Sequence, residues 1–236
     1  YKRQIKARTG GEIYLGVVGP VRTGKSTFIR RFMDLCVIPS ILDPNEKKRI
    51  IDELPQAGVG KTVMTTEPKF IPKTGIEIPL SNNVKAKFRL IDCVGYIVDS
   101  AQGVYEDDKE RLVKTPWFDE NIPFSKAAQT GTEKVIRDHS TIGIVMTTDG
   151  SIGEFTRDDY ISAEEKAIME LKKIKKPFIV IVNSTFPASD FTRKIANEIS
   201  EKYEVTALPM DCENLNKEDV NKILSAILYL SLIHIS

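Results

Sequence analysis

The run Gly19-Pro20-Val21-Arg22-Thr23-Gly24-Lys25-Ser26 satisfies G-x-x-x-x-G-K-[ST] at every position, and no other stretch constrains the fold as much. Its flanks fit the pattern. Upstream, Ile13-Tyr14-Leu15-Gly16-Val17-Val18 is an apolar run of strand length, as expected of a parallel strand buried on both faces. Downstream, Phe28, Ile29, Phe32, Met33 and Leu35 recur at helical spacing, with Arg30, Arg31 and Asp34 on another face. Strand, loop and helix of this kind form an anion trap, because consecutive backbone N–H groups and the helix N-terminus point at one place.

The residue types match that chemistry. Gly19 and Gly24 allow the tight turn and the close approach of phosphate oxygens, and Arg22, Thr23 and Thr27 complete the frame around the ligand. Lys25 supplies a mobile cation for β- and γ-phosphates, and the Ser26 hydroxyl is placed to ligate Mg²⁺. Arg22 is the odd member. Neither the turn nor the cradle requires a cation there, so it either stabilises transition-state charge or forms a surface ion pair.

Further along, residues 56–67 carry two glycines and the pair Thr65-Thr66, the composition of a loop that closes over a nucleotide. Lys69-Phe70-Ile71 and Ile76-Glu77-Ile78-Pro79-Leu80 read as short strands, and a turn at Ser81-Asn82-Asn83 makes a hairpin with residues 85–91. That second arm ends in Asp92-Cys93-Val94-Gly95, or D-x-x-G. After a phosphate loop and a threonine loop, Asp92 is expected in the metal shell and the Gly95 N–H beside the γ-phosphate. With Tyr96 following Gly95, Thr65 and Thr66 become the candidates for orienting the attacking water, and Thr66 for joining Ser26 and Asp92 on the metal.

Residues 96–126 are the least regular part of the chain, either a surface excursion packed by its own aromatics or a partner-contacting surface around Trp117. From Ala127 a helix runs to His139, then the strand Ile142-Gly143-Ile144-Val145-Met146. Ser162-Ala163-Glu164-Glu165 reads as a capping box opening a helix through Lys175. Phe178-Ile179-Val180-Ile181-Val182 is a strand ending at Asn183, and a helix over 191–203, a strand over 205–208 and a helix over 217–228 follow. The alternation predicts an α/β fold: a mostly parallel sheet with helices on both faces, one early antiparallel hairpin, and the ligand at the carboxyl ends of the strands.

Composition adds bounds. The 236 residues are 41% hydrophobic and 28% charged with net charge +1, which gives no global electrostatic case for nucleic acid. The three cysteines are scattered, so neither a zinc site nor a disulfide framework is expected, and a reducing cytoplasm fits. No signal sequence or membrane span is read. Residues 1–10 form a basic arm, 11–230 one nucleotide-binding domain, and 231–236 a tail read as a truncation or sequence artefact.

The order of phosphate loop, threonine loop, D-x-x-G and strand-ending Asn resembles the translation-factor class of small GTPases. One motif departs: the guanine-reading N-K-x-D is here Asn183-Ser184-Thr185-Phe186, without the carboxylate that would grip guanine. Together with Pro55-Gln56, Met64-Thr65-Thr66-Glu67-Pro68-Lys69-Phe70, Asp92-Cys93-Val94-Gly95-Tyr96, Thr115-Pro116-Trp117 and His139-Ser140-Thr141-Ile142-Gly143, the chain resembles the stage IV sporulation protein A family. That resemblance implies a Mg²⁺-dependent ATPase that polymerises into the basement layer of the spore coat, in the mother-cell cytoplasm at the forespore surface. It implies Lys25 as the Walker A lysine, Asp92 as the Walker B-type aspartate, and Thr65 and Thr66 as nucleotide-sensing threonines. Implied partners are further copies, other coat proteins, and a membrane docked through regions outside this chain. A regulatory or ribosome-associated GTPase and a scaffold holding nucleotide without turnover are the two competing readings.

Overall fold

The structure, a computed structural model, describes residues 12–55, 68–81, 84–98, 105–106 and 109–233. In chain order the elements are β1 (Glu12–Val18), α1 (Lys25–Phe32) running into a π-helical turn (Met33–Val37) and a 3₁₀ turn (Ile38–Ser40), α2 (Pro44–Glu53), β2 (Lys69–Ser81) and β3 (Val84–Asp92). Next come two-residue strands β4 (Tyr105–Glu106) and β5 (Lys109–Glu110), then β6 (Leu112–Thr115), β7 (Phe118–Pro123), α3 (Phe124–Lys134) with a π-turn (Val135–His139), and β8 (Ile142–Thr148). The remainder alternates: α4 (Arg157–Lys173), β9 (Phe178–Asn183), α5 (Asp190–Tyr203), β10 (Ala207–Met210) and α6 (Lys217–Ile233).

Six strands form one sheet in the order β10-β9-β8-β1-β3-β2, parallel except for β2 against β3. The period-2 alternation of apolar strands divides side chains between two cores. Ile13, Leu15 and Val17 of β1, Ile144 and Met146 of β8, and Ile179 and Ile181 of β9 pack beneath α1 and α6 with Phe28, Ile29, Phe32 and Ile223. Val18, Val145, Val180 and Val182 face the other way, against Phe124, Tyr160, Ile168, Ile195 and Ile199 of α3, α4 and α5. Each of the fully buried Phe28, Ile29 and Phe32 contributes roughly 1.5–3 kcal/mol by leaving water, enough to fix α1 across the sheet.

Register sets the strand ends level. Val17 pairs with Asp92, Val18 with Val145, and Asn183 with both Thr148 and Met210. Because β1 lies between β3 and β8, the chain reverses direction across the sheet at β1, and the crevice at such a switch point is where ligands bind in open α/β sheets.

Several boundaries differ from the sequence reading. The two strands read over 69–80 are one irregular strand, β2, whose register shifts between Ile71 and Ile76. The least regular stretch contains two small hairpins, β4–β5 and β6–β7, and α3 begins at Phe124 rather than Ala127. The last strand lies two residues later than expected, and α6 runs through Ile233. The largest correction concerns α4. It starts at Arg157 behind a capping box of Thr156 with Asp159, not at Ser162. Glu165, the expected cap partner of Ser162, lies mid-helix and accepts from Lys202 Nζ at 3.2 Å, and its neighbour Glu164 is a buried carboxylate that receives Arg157 Nη1 at 2.6 Å and Nη2 at 3.0 Å.

Candidate nucleotide site

Residues 19–24 bridge β1 to α1, whose first two residues are Lys25 and Ser26. Gly24 caps the helix at φ 85° without any side-chain cap, and a Cβ there would lie 2.3 Å from Asn183 Nδ2, so the position needs glycine on both counts. Buried Thr23 turns its hydroxyl inward and donates to the Pro20 carbonyl at 3.0 Å, leaving only its backbone for the frame. Lys25 Nζ donates to the same carbonyl. The D-x-x-G segment is knitted to the loop by two backbone bonds, Tyr96 N–H to Gly19 O at 3.0 Å and Val21 N–H to Tyr96 O at 2.9 Å. Gly95 thereby lies against Lys25: a Cβ on it would stand 2.6 Å from Nζ.

Beside them the Ser26 hydroxyl donates to Asp92 Oδ2 at 3.1 Å, while Asp92 Oδ1 is buried without a hydrogen-bond partner. Burial pushes the Asp92 carboxyl above its ordinary value, against the pull of Lys25, the Ser26 hydrogen bond and Lys69. Burial likewise depresses the Lys25 ammonium, against Cys93 and Asp92. Both shifts have one cause: these charges face a desolvated pocket that lacks enough countercharge of its own. A polyphosphate with a divalent cation supplies what each group needs.

Mg²⁺ fits these donors. It prefers hard oxygens and takes one or two protein ligands beside phosphates and water, which matches a hydroxyl–carboxylate pair with an orphaned carboxylate oxygen. No group of three or more His, Cys, Asp or Glu side chains that could hold a metal occurs among the described residues. Ser26 and Asp92 would hold the ion. Thr66, the third expected ligand, and Thr65 lie outside the described residues.

On the far side, buried Asn183 ends β9 and joins three segments. Its Nδ2 donates to the Thr23 carbonyl at 3.0 Å and its Oδ1 accepts from Cys212 N–H at 3.0 Å. Phe186, at the place of the guanine-gripping carboxylate, is 71% exposed on a backbone fixed by Ser184 Oγ to its N–H and by Ser189 N–H and Thr192 Oγ1 to its carbonyl. Thr27 is half-buried in the first turn of α1. Arg22 adopts φ 60°, a left-handed conformation costly to a residue with a Cβ, and sets its guanidinium 5.8 Å from the Phe155 ring centroid.

Sequence reasoning missed the support behind this crevice. Asp149, just after β8, accepts from Ser151 N–H at 2.9 Å, Ser151 Oγ at 2.6 Å and Thr192 Oγ1 at 2.6 Å, and Ser151 Oγ accepts from Thr185 N–H at 3.0 Å. The signal available was Thr148-Asp149-Gly150 at a strand end. Phe155 carried none, since its role depends on a loop folding back over the phosphate loop.

The family described as stage IV sporulation protein A, ATPase domain, matches residues 1–231. Stage IV sporulation protein A of Clostridioides difficile (strain 630) is 53% identical over 225 residues, which cover 95% of this chain and 46% of that protein. The Bacillus subtilis (strain 168) protein of the same name is 50% identical over 227 residues, covering 96% of this chain and 46% of its own length. The chain thus spans about half the length of these relatives. A crystal structure of an Aquifex aeolicus Era variant bound to GDP and aluminium fluoride superposes with a TM-score of 0.52 at 17% identity, covering 92% of this chain and 57% of that one; this likeness shows the fold. A phosphate loop seated at the switch point of a GTPase-like sheet, in a chain about half identical to named relatives over nearly all its length, belongs to the stage IV sporulation protein A ATPase-domain family.

Proposed function

We propose that this chain binds ATP with Mg²⁺ across residues 19–27, Asp92, Gly95 and Asn183 and hydrolyses it, and that turnover drives self-assembly of a spore-coat basement layer. The single observation that carries the reading is the Ser26–Asp92 pair beside Lys25, with Asp92 Oδ1 buried and lacking a hydrogen-bond partner. Mg²⁺ held there would neutralise charge on the β- and γ-phosphates. Lys25 would bind those oxygens, Gly95 N–H would lie at the γ-phosphate, and Thr65 or Thr66 would orient the water. Arg22 would meet charge that develops as the phosphoryl group transfers. Phe186 offers a base an aromatic face rather than a carboxylate, which favours ATP over guanine-specific binding.

Assembly follows from what γ-phosphate loss would do. In this reading the threonine loop and the D-x-x-G segment would both contact that phosphate, so cleavage would remove contacts from two surfaces at once and favour a different conformation. The partners of this reading are further copies and other coat proteins, with membrane docking through regions beyond this chain, at the forespore surface in the mother cell. Single-turnover hydrolysis with ATP and GTP in parallel tests the chemistry: ATP is turned over in preference to GTP, and tight binding without turnover would leave a structural scaffold. For assembly, sedimentable polymer forms with ATP and not with a non-hydrolysable analogue; equal polymer with the analogue would remove hydrolysis as the trigger.

A further inference from the structure

Arg22 is held in the left-handed region, φ 60°, at a position where glycine would carry no strain. Such a strained backbone persists where the surroundings enforce it and the side chain has a use. Those surroundings are built. The Arg22 guanidinium sits 5.8 Å from the Phe155 ring centroid, within the roughly 6 Å range of cation–π attraction. Phe155 is itself 9% exposed and packs edge-on against fully buried Tyr160, with centroids 5.9 Å apart.

The ring sits on a short span fixed at both ends. On one side, Asp149 gathers Ser151 and Thr192. On the other, the Thr156–Asp159 capping box begins α4, and Arg157 is bonded to Glu164 through both terminal guanidinium nitrogens and to Thr147 Oγ1 at 3.1 Å. An arginine on an open surface samples many rotamers, and ordering it costs conformational entropy. One lying against an immobilised ring meets much of that cost before substrate arrives.

We propose that Phe155 is the positioning residue for Arg22, holding the guanidinium beside the phosphate loop so that it is preorganised for charge developing on the transferred phosphoryl group. The proposal rests on the reading of Arg22 as a transition-state cation, and it adds a specific supporting side chain outside every motif of the site. Phe155 acts through Arg22.

The test is a double-mutant cycle on ATP hydrolysis. Phe155→Leu lowers kcat about 10-fold while KM for ATP stays within about 2-fold, and Phe155→Trp returns kcat to within about 3-fold of the parent. In an Arg22→Ala background, Phe155→Leu changes kcat by less than about 2-fold, because the contact it removes is already gone. Should the leucine variant fail to fold, fluorinated phenylalanines at position 155 keep the ring's shape while weakening its negative face, and kcat falls stepwise with fluorination. A second readout needs no turnover: the ¹⁹F line of 4-fluorophenylalanine at position 155 shifts when Arg22 is replaced by alanine. An equal loss of kcat in both backgrounds, an unmoved ¹⁹F line, or indifference to fluorination overturns the proposal. Parent kcat in Phe155→Leu with an impaired Arg22→Ala overturns the positioning role alone, whereas parent kcat in Arg22→Ala overturns the reading of Arg22 on which it rests.

Discussion

The side-chain amide of Asn183 is a clamp on Thr23: Nδ2 donates to the Thr23 carbonyl at 3.0 Å, and Oδ1 is itself fixed by Cys212 N–H at 3.0 Å. Three loops from three strand ends therefore meet on one buried amide. Asn183→Ala leaves the Cys212 N–H and the Thr23 carbonyl without these partners, a loss of roughly 1–3 kcal/mol for buried groups. Asn183→Asp keeps an acceptor for Cys212 but points carboxylate oxygen at a carbonyl. Weaker ATP binding and a lower Tm are expected for both variants. Parent-like ATP affinity in both would remove the clamp from the site.

Lys25 and Asp92 separate activity from stability. Each is desolvated by burial, so each carries its charge at a cost that only a ligand offsets. Lys25→Met abolishes turnover and weakens ATP binding while leaving Tm unchanged or raised, because a desolvated ammonium is exchanged for a thioether. Asp92→Asn keeps the shape and loses the charge that would hold Mg²⁺, with turnover falling by at least about 100-fold. Calorimetry and steady-state hydrolysis on the two variants check this, and parent-rate hydrolysis by Lys25→Met would rule out the phosphate-loop assignment.

Much of this site was legible because its motifs report backbone geometry directly. Gly19, Gly24, Lys25, Ser26 and Asp92 occur at fixed offsets from a strand or helix end, so the local pattern places them. The parallel sheet was equally legible, since runs such as Phe178-Ile179-Val180-Ile181-Val182 fit a strand buried on both faces. What was illegible arises between segments distant in sequence. Ser162 and Glu165 read locally as a cap pair, yet both lie inside α4, and Glu164 between them is drawn into the core by Arg157 and by Thr147 on β8. Phe155 and Asp149 gain their roles only once loops after β8 and β9 fold beside the phosphate loop.

Gly95 is required by space as well as by conformation. Its φ is 95°, and a Cβ would stand 2.3 Å from the Gly19 carbonyl oxygen and 2.6 Å from Lys25 Nζ. Backbone oxygen cannot retreat, since Gly19 O already accepts from Tyr96 N–H. Gly95→Ala must therefore break the two backbone bonds that knit the D-x-x-G segment to the loop. Hydrogen exchange at the Tyr96 and Val21 amides should accelerate, and ATP affinity should fall. Unchanged protection at both amides would show that the segment tolerates a side chain.

Asp149 makes the crevice acid-sensitive. Burial pushes its carboxyl up, but hydrogen bonds from Ser151, Ser184, Thr192 and the Ser151 amide together hold it below the ordinary 3.8. A carboxyl with a depressed native value releases its proton more readily folded than unfolded, so its contribution is complete above pH 3.8 and is lost as pH falls through the native value. Asp149→Asn lacks that titration. It also turns a donor toward the Thr192 hydroxyl or the Ser151 hydroxyl, so it is less stable than the parent near neutral pH. The Tm difference between the two proteins is largest near neutrality and narrows below about pH 4, where the carboxyl of the unfolded parent begins to take up a proton that the native one still releases. Thermal melts of both proteins across that range measure the convergence. A difference that stays constant down to the lowest pH would mean that the shape of the side chain, rather than its charge, holds the loops after β8 and β9 together.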